Sequence, residues 1–217
     1  MIESARVREV DTPSGLARAH VMRPRNARGS LVLGHGAGGR GWSGDLVAIA
    51  EAMTGKGYAV VLVDQPWRVA GRRVAGPPPT LDAAWLPALA ALTTGRGALP
   101  RPVVTGGRSA GARVACRTAV AVGADAVLCL AFPLHPPGRP ERTRADELRR
   151  PFEAGLPGHV VQGERDPWGS PDEVAAELAR FGDPTAYVTA VKGAHSFGRA
   201  PHDVVAAVEA FADSLAG

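Results

Sequence analysis

The sequence predicts an α/β fold in which a mostly parallel sheet of about seven or eight strands is covered by helices on both faces. Short apolar runs closed by glycine or aspartate recur along the chain, as in parallel strands that are buried on both faces. Helix-compatible stretches of roughly ten to fifteen residues separate these runs, which indicates right-handed crossovers within one sheet. At 217 residues, the chain is the size of a single domain spanning residues 1–217. No insertion is long enough for a large lid.

The elements follow from this alternation in chain order. Two strand-like runs at 6–10 and 17–22 flank a turn-rich linker, so we expect an antiparallel hairpin at a sheet edge. Further strands are predicted at 30–33, 58–63, 103–104, 126–132, 159–162 and 186–191. Helices are predicted at 42–54 with Ser43 as N-cap, and at 81–93, 112–122, 144–150, 172–181 and 201–215. Pro87 lies inside the second helix and predicts a kink or a later start.

Composition excludes several classes of protein. The apolar fraction of 45% and charged fraction of 21% are ordinary for a soluble globular domain. The N-terminus carries no apolar signal segment, and no run approaches the roughly 18 apolar residues of a membrane span, so we expect a cytoplasmic protein without a membrane partner. The net charge of +4 comes from scattered arginines without aromatic interleaving. This pattern favours a solvated surface over a nucleic-acid partner and leaves open an attraction for anionic substrates.

No metal or cofactor is predicted. Cys116 and Cys129 stand in apolar surroundings without a C-x-x-C motif, so they are interpreted as core residues in a reducing compartment. The chain has no H-E-x-x-H motif and no Cys/His cluster that would indicate a metal site. The glycine-rich segment 34–39 lacks the acidic residue at the spacing of a dinucleotide site, since Asp64 comes too late in the chain.

Residues 102–115, PVVTGGRSAGARVA, carry the clearest chemical signal. A short apolar run breaks into the pattern G-x-S-x-G, centred on Ser109, and a helix-compatible pattern follows. Side chains at the two flanking glycines would collide with the adjoining strand and helix. The helix directs its N-terminal N–H groups toward the serine, which suits a reaction that forms an oxyanion. The stretch predicts that Ser109 is a nucleophile.

Two further residues complete a predicted catalytic triad. Asp166 and His195 each follow a predicted strand, and the carboxyl ends of parallel strands meet at one edge of the sheet. A serine hydroxyl needs a base to take its proton, and the base needs a carboxylate to orient it. The order serine, acid, histidine is that of α/β-hydrolases. Asp64 is an alternative acid and His202 an alternative base.

The rest of the predicted site surrounds Ser109. The backbone N–H groups of Ala37 and Ala110 are expected to form an oxyanion hole. We expect His35 to orient its own turn through a backbone hydrogen bond. His135 either lines the pocket or has a structural role. The absence of a lid predicts a shallow, open site. The candidate pocket residues are His35, Gly36, Arg108, His135 and Trp168.

Four segments resemble one family. They are LVLGHGAGG at 31–39, GGRSAGAR at 106–113, FPLHPPGRP at 132–140 and RADEL at 144–148. Over residues 31–197, the chain is similar to the small lidless, dienelactone-hydrolase-like α/β-hydrolases related to testis-expressed protein 30 and to the hydrolase-like domain of NSL complex subunit 3. The resemblance implies that Ser109, Asp166 and His195 are nucleophile, acid and base. Many relatives carry a larger residue such as methionine at the position of Ala110, which implies a wider pocket here.

The predicted function is a serine hydrolase that cleaves an ester or thioester of a small molecule through an acyl-enzyme. An acyltransferase that uses the same acyl-enzyme is a close variant. Because one relative is a subunit of a chromatin complex, a non-catalytic scaffold or protein-binding module is the alternative from a different class. Either a monomer or a homodimer is compatible with the sequence.

Overall fold

The computed structural model describes residues 2, 5–38, 41–183, 187–198 and 201–215. The strands in this part of the chain are β1 (Arg6–Thr12), β2 (Gly15–Met22), β3 (Ser30–Gly34), β4 (Ala59–Asp64), β5 (Val103–Arg108), β6 (Ala126–Leu130), β7 (Gly158–Gly163) and β8 (Val188–Val191). The helices are α1 (Gly44–Gly55), α2 (Pro66–Val69), α3 (Pro78–Thr93), α4 (Ala110–Thr118), α5 (Ala145–Glu153), α6 (Pro171–Leu178) and α7 (His202–Ser214).

One sheet of eight strands organises these elements, in the order β1-β2-β4-β3-β5-β6-β7-β8. The hairpin of β1 and β2 pairs antiparallel with the edge of β4, and all later neighbours are parallel. The predicted mostly parallel sheet with an edge hairpin is therefore confirmed. No lid domain interrupts the described ranges. The carboxyl ends of β3 to β8 all lie at one edge, where residues 35, 109, 166 and 195 follow their strands.

The core forms two layers, one on each face of the sheet. Leu31 and Leu33 of β3 pack with α1 and α7, whereas Val32 between them packs with α3 on the opposite face. Helices α4, α5 and α6 continue that second layer beside β6 and β7. Burial on both faces explains why the parallel strands are continuous apolar runs. No helix among the described residues is long and apolar enough to cross a membrane.

Ion pairs fix helix α4 to its neighbours. Arg113 donates two hydrogen bonds to Glu147 of α5, at 2.8 and 2.7 Å. Arg117 donates two to Asp82 of α3, at 2.8 and 2.6 Å, and a third to Glu147. Burial alone would raise the pKa of Glu147, but these two guanidinium groups outweigh it and hold the pKa below its ordinary value. Some of the arginines thus anchor the helix that follows Ser109.

Prolines account for the main differences from the predicted helices. The expected later start after Leu81 is wrong, because α3 begins at Pro78. Proline is tolerated in a first turn, where the missing N–H would have no helical acceptor. The same helix continues through Pro87, and α5 continues through Pro151. Helix α2, which begins at Pro66, was not among the predicted helices.

Several element ends also differ. Helix α4 ends at Thr118 instead of residue 122, because the chain turns back through Gly123 at a φ of 62°. Strand β6 ends at Leu130, and Ala131 then takes a φ of 48° that leaves the sheet. A 3-10 turn replaces the last residues predicted for α6, and position 186 of the predicted last strand lies outside the described residues. Ser43 does occupy the N-cap position of α1, but its hydroxyl makes no capping bond.

Candidate active site

Ser109 lies on the sharp turn between β5 and α4. Its backbone has a φ of 53° and a ψ of −109°, a conformation that a residue with a side chain rarely adopts. The chain around it passes directly over β3: a Cβ at Gly111 would lie 2.4 Å from the carbonyl oxygen of Gly34, and one at Gly107 would lie 2.5 Å from it. Both positions therefore require glycine, as the G-x-S-x-G pattern predicted.

The three predicted triad residues come together in a hydrogen-bonded chain. The hydroxyl of Ser109 is 2.9 Å from Nε2 of His195. Nδ1 of the same ring is 2.8 Å from Oδ2 of Asp166 and 3.1 Å from Oδ1. Because an ionised carboxylate only accepts, Nδ1 carries the proton and Nε2 is left with a lone pair toward Ser109. The His195 side chain is 22% exposed, so solvent and ligands can reach it.

The carboxylate of Asp166 is held in place by its surroundings. Its side chain is fully buried. It accepts a hydrogen bond from the backbone N–H of Trp168 at 2.9 Å and another from the amide of Gln162 at 3.0 Å. The Gln162 amide also donates to the carbonyl of Gly169 at 2.8 Å, which ties the loop after β7 to the strand itself. Sequence reasoning missed Gln162, although a polar residue in a buried strand was an available signal.

Arg108 connects the serine turn to the histidine loop. Its guanidinium donates a hydrogen bond to the backbone carbonyl of His195 at 2.7 Å. It also forms an ion pair with Asp45 of α1, with Nε 3.0 Å from a carboxylate oxygen that is almost wholly buried. Arg108 therefore acts on His195 through the backbone, and Asp45, which the sequence did not indicate, holds the guanidinium in place.

With Ser109 and His195 as nucleophile and base, replacing Arg108 is expected to lower kcat for a p-nitrophenyl ester by about 10- to 100-fold with little change in KM, because His195 loses a backbone contact that helps to hold it near Ser109. Both Arg108→Met and Arg108→Lys remove the double contact, but the lysine keeps a positive charge near Asp45. The lysine variant should therefore unfold at a higher temperature than the methionine variant, which leaves a buried carboxylate unpaired. Steady-state kinetics and thermal melts on both variants measure these effects. An unchanged kcat in a folded Arg108→Lys protein would show that the contact does not position His195.

The loop after β3 lies beside the serine. A Cβ at Gly36 would be 3.7 Å from the Cβ of Ser109, so this loop borders the nucleophile. Ala37 follows on the loop, and Ala110 is the first residue of α4, whose N–H has no acceptor within the helix. Gly36, Ala37 and Ala110 line the same small crevice, and the two alanines are the residues whose backbone N–H groups were predicted to form the oxyanion hole.

His35 is buried at the base of this loop. Its Nδ1–H donates to the carbonyl of Gly36 at 2.8 Å, and its Nε2 accepts the backbone N–H of Gln65 at 3.1 Å. The pKa of His35 is lowered to about 4, mainly by burial; the charge of Arg68 acts in the same direction, while the bond to Gly36 and the charge of Asp64 oppose the shift. The ring is therefore neutral at neutral pH and joins the loop to the start of α2.

The other candidate pocket residues, Arg108, His135 and Trp168, contact His195 or the loop after β7. The Trp168 ring lies 5.5 Å from the His195 ring, centroid to centroid. The backbone N–H of His135 donates to the carbonyl of Trp168 at 3.0 Å, and its ring Nε2 is 3.1 Å from a carboxylate oxygen of Glu173. Arg108 is hydrogen-bonded to the carbonyl of His195, and His135 to that of Trp168. Neither residue lines the small crevice that contains Ala37 and Ala110.

The two alternative triad residues are not part of this hydrogen-bonded chain. Asp64 lies 2.9 Å from the ring of His20 and 3.0 Å from the guanidinium of Arg68. His202 is the exposed first residue of α7. Ser109 is bonded to His195 instead. The described residues contain no group of three histidine, cysteine or acidic side chains that could hold a metal ion.

Comparisons with known proteins agree with this architecture. A family model described as an alpha/beta hydrolase domain matches residues 27–212. A serine hydrolase without a lid from Xanthomonas campestris is 17% identical with a TM-score of 0.70, over 97% of this chain and 94% of that one. A serine hydrolase homologue from Coxiella burnetii is 16% identical with a TM-score of 0.73, over 97% of each chain. Thermogutta terrifontis esterase 2, phosphoramylated by tabun, is 17% identical with a TM-score of 0.69, over 99% of this chain and 96% of that one.

A comparison of the sequence with curated proteins found no match. The narrower resemblance to testis-expressed protein 30 and NSL complex subunit 3 stays a prediction. The structural likenesses extend over nearly the whole chain and show the fold of lidless alpha/beta hydrolases. Since the family model also covers most of its length, the chain belongs to the alpha/beta hydrolase domain family.

Proposed function

We propose that this protein is a serine hydrolase that cleaves an ester or thioester of a small molecule. The observation that carries the proposal is the continuous hydrogen-bonded chain from Ser109 through His195 to buried Asp166, with distances of 2.9 and 2.8 Å. A base within hydrogen-bond reach of a serine, itself oriented by a carboxylate, is the arrangement that activates the hydroxyl. The names of structural relatives, serine hydrolases and an esterase, support the same reaction class.

In this proposal His195 takes the proton of Ser109 as the hydroxyl oxygen attacks the acyl carbon. The carbonyl oxygen becomes an oxyanion, which the N–H groups of Ala37 and Ala110 stabilise. His195 then gives the proton to the leaving alcohol or thiol, and an acyl-enzyme remains on Ser109. A water molecule activated by the same histidine releases the acid. Transfer of the acyl group to another alcohol or thiol would use the same intermediate.

Labelling with a fluorophosphonate tests the activated serine. The native protein is expected to gain one adduct by intact mass, and Ser109→Ala is expected to gain none, because only an activated serine displaces fluoride at a useful rate. Hydrolysis of p-nitrophenyl acetate should fall by at least about 10³-fold in the same variant. Heat-denatured native protein is the control for non-specific reaction. If folded native protein gains no adduct, the triad is inactive and a binding scaffold becomes the better interpretation.

A further inference from the structure

A very small crevice lies between the loop after β3 and the first turns of α4, the helix that follows Ser109. Its volume is about 10 Å³, which is roughly the room of a single water molecule. Its lining includes Ala37 and Ala110 as well as Gln65, Trp67 and Leu81. The last three residues are all buried. We call these three residues the partition.

A much larger groove also borders the partition. It has a volume of about 520 Å³ and is lined by the same three residues together with Leu16, Val69 and Thr80. It lies against the turn of the β1–β2 hairpin and the segment that leads into α3. The three residues of the partition therefore border both spaces, one with room for a single water molecule and one large enough for an alkyl chain.

Contacts hold the partition in place. The amide of Gln65 donates to the backbone carbonyl of Leu81 at 3.3 Å, and this joins the start of α2 to α3. The Trp67 and His35 rings pack in a T-shaped arrangement with a centroid distance of 5.2 Å. Leu81 and Trp67 also belong to the core layer beneath α3. The partition is a packed wall in the resting protein.

The orientation of the triad decides which part of a substrate meets this wall. In the proposed reaction, His195 protonates the leaving group, so the leaving alcohol or thiol lies on the side of His195 and Trp168. The acyl substituent extends away from the base once its carbonyl oxygen occupies the oxyanion hole. The crevice in front of Trp67 is on that side, because its lining includes both predicted oxyanion donors and neither His195 nor Trp168.

We propose that the partition restricts the substrate to short acyl groups, acetyl or propionyl in size, and that Trp67 is the residue that sets this limit. This inference rests on the proposed function. Removing the indole would join the crevice to the groove behind it, and a chain of six to eight carbons, about the length of a hexanoyl or octanoyl group, could then enter. A longer chain in the native protein would instead collide with packed side chains.

The test is a chain-length profile with p-nitrophenyl acetate, butyrate, hexanoate and octanoate. For the native protein, kcat/KM should be at least about tenfold higher for the acetate than for the octanoate. In Trp67→Ala and Trp67→Leu, the octanoate-to-acetate ratio should rise at least about tenfold. Leu81→Ala opens the same wall from the other helix and should shift the ratio in the same direction. Val74→Ala, an exposed position in the same segment that lines neither cavity, is the control and should keep the native ratio.

Fluorophosphonate labelling and a thermal melt of every variant separate the possible failures. If variants that are folded and labelled keep the native ratio, or if the native protein hydrolyses octanoate as readily as acetate, the partition does not set the acyl length. A long chain would then leave the site past exposed Ala37. If the native protein is folded but takes no label, the proposed hydrolase function fails, and this inference fails with it. If the Trp67 variants do not fold, the result for Leu81→Ala decides.

Discussion

Asp166→Asn is expected to lower kcat by about 10³- to 10⁴-fold in a protein that stays folded. The carboxylate accepts bonds from His195, Gln162 and the Trp168 N–H, so it needs acceptor oxygens on both sides. An asparagine presents an N–H at one of these positions. If that N–H faces His195, the ring must place its proton on Nε2, and the lone pair toward Ser109 is lost.

The measurement is kcat for a p-nitrophenyl ester together with the rate of fluorophosphonate labelling. Both should fall together, because acylation of Ser109 needs the same tautomer. Asp172→Asn makes the identical change at an exposed position of α6 and should leave both rates near native. An Asp166→Asn protein that keeps more than about a tenth of the native rate would mean that the carboxylate does not orient His195.

Gly111→Ala is expected to destabilise the protein by about 3 kcal/mol. The added methyl group would clash with backbone atoms, which cannot move aside as a flexible side chain could. The added Cβ would lie 2.4 Å from the carbonyl oxygen and 2.5 Å from the carbonyl carbon of Gly34. Either α4 or β3 must move, and a shift of α4 moves Ser109 as well. The midpoint of thermal unfolding should fall by roughly 6–12 °C, and labelling of Ser109 should slow.

Gly44→Ala serves as the matched control, because nothing lies within 4 Å of a Cβ placed there, at the start of α1. That change is expected to leave the midpoint of thermal unfolding within about 2 °C of the native value, or to raise it slightly. A Gly111→Ala protein as stable as the native one would show that the backbone approach of α4 to β3 is looser than the 2.4 Å contact implies.

The sequence was most informative where chain order alone determines position. Residues that end successive parallel strands must lie at one edge of the sheet, so the sequence alone predicts that Ser109, Asp166 and His195 lie together. The turn at Ser109 was predictable for a related reason: glycines at fixed spacing between a strand and a helix imply a close backbone approach. The hairpin at the sheet edge followed from two strand-like runs and the turn residues between them.

Contacts that depend on side-chain reach could not be predicted in this way. The bond from Arg108 to the carbonyl of His195 joins positions 87 residues apart, and no spacing rule connects them. Gln162 gave a weak signal as a polar residue in a buried strand, but its partner Asp166 became evident only from the path of the loop. Asp45 gave no signal, because an acidic residue in the first turn of a helix is commonplace.

The ends of elements were the least predictable, for a physical reason. Prolines in the sequence suggest that a helix has not yet begun, but the first turn of a helix tolerates them. Helix α3 therefore begins three residues before its predicted start. The position of Trp67 between two cavities could not be predicted for another reason: the depth of a cavity depends on the relative placement of α2 and α3. A tryptophan that packs in the core and one that shapes a pocket have the same sequence signature.

The backbone of Ser109 also bears on how such a chain can evolve. Its φ of 53° belongs to the region that glycine adopts without strain, so glycine is the residue that folding alone would favour there. Selection for a stable fold and selection for an attacking hydroxyl thus act in opposite directions at one position. In a lineage that did not need such a reaction, this serine would be among the first residues to drift, so its presence here agrees with the proposed function.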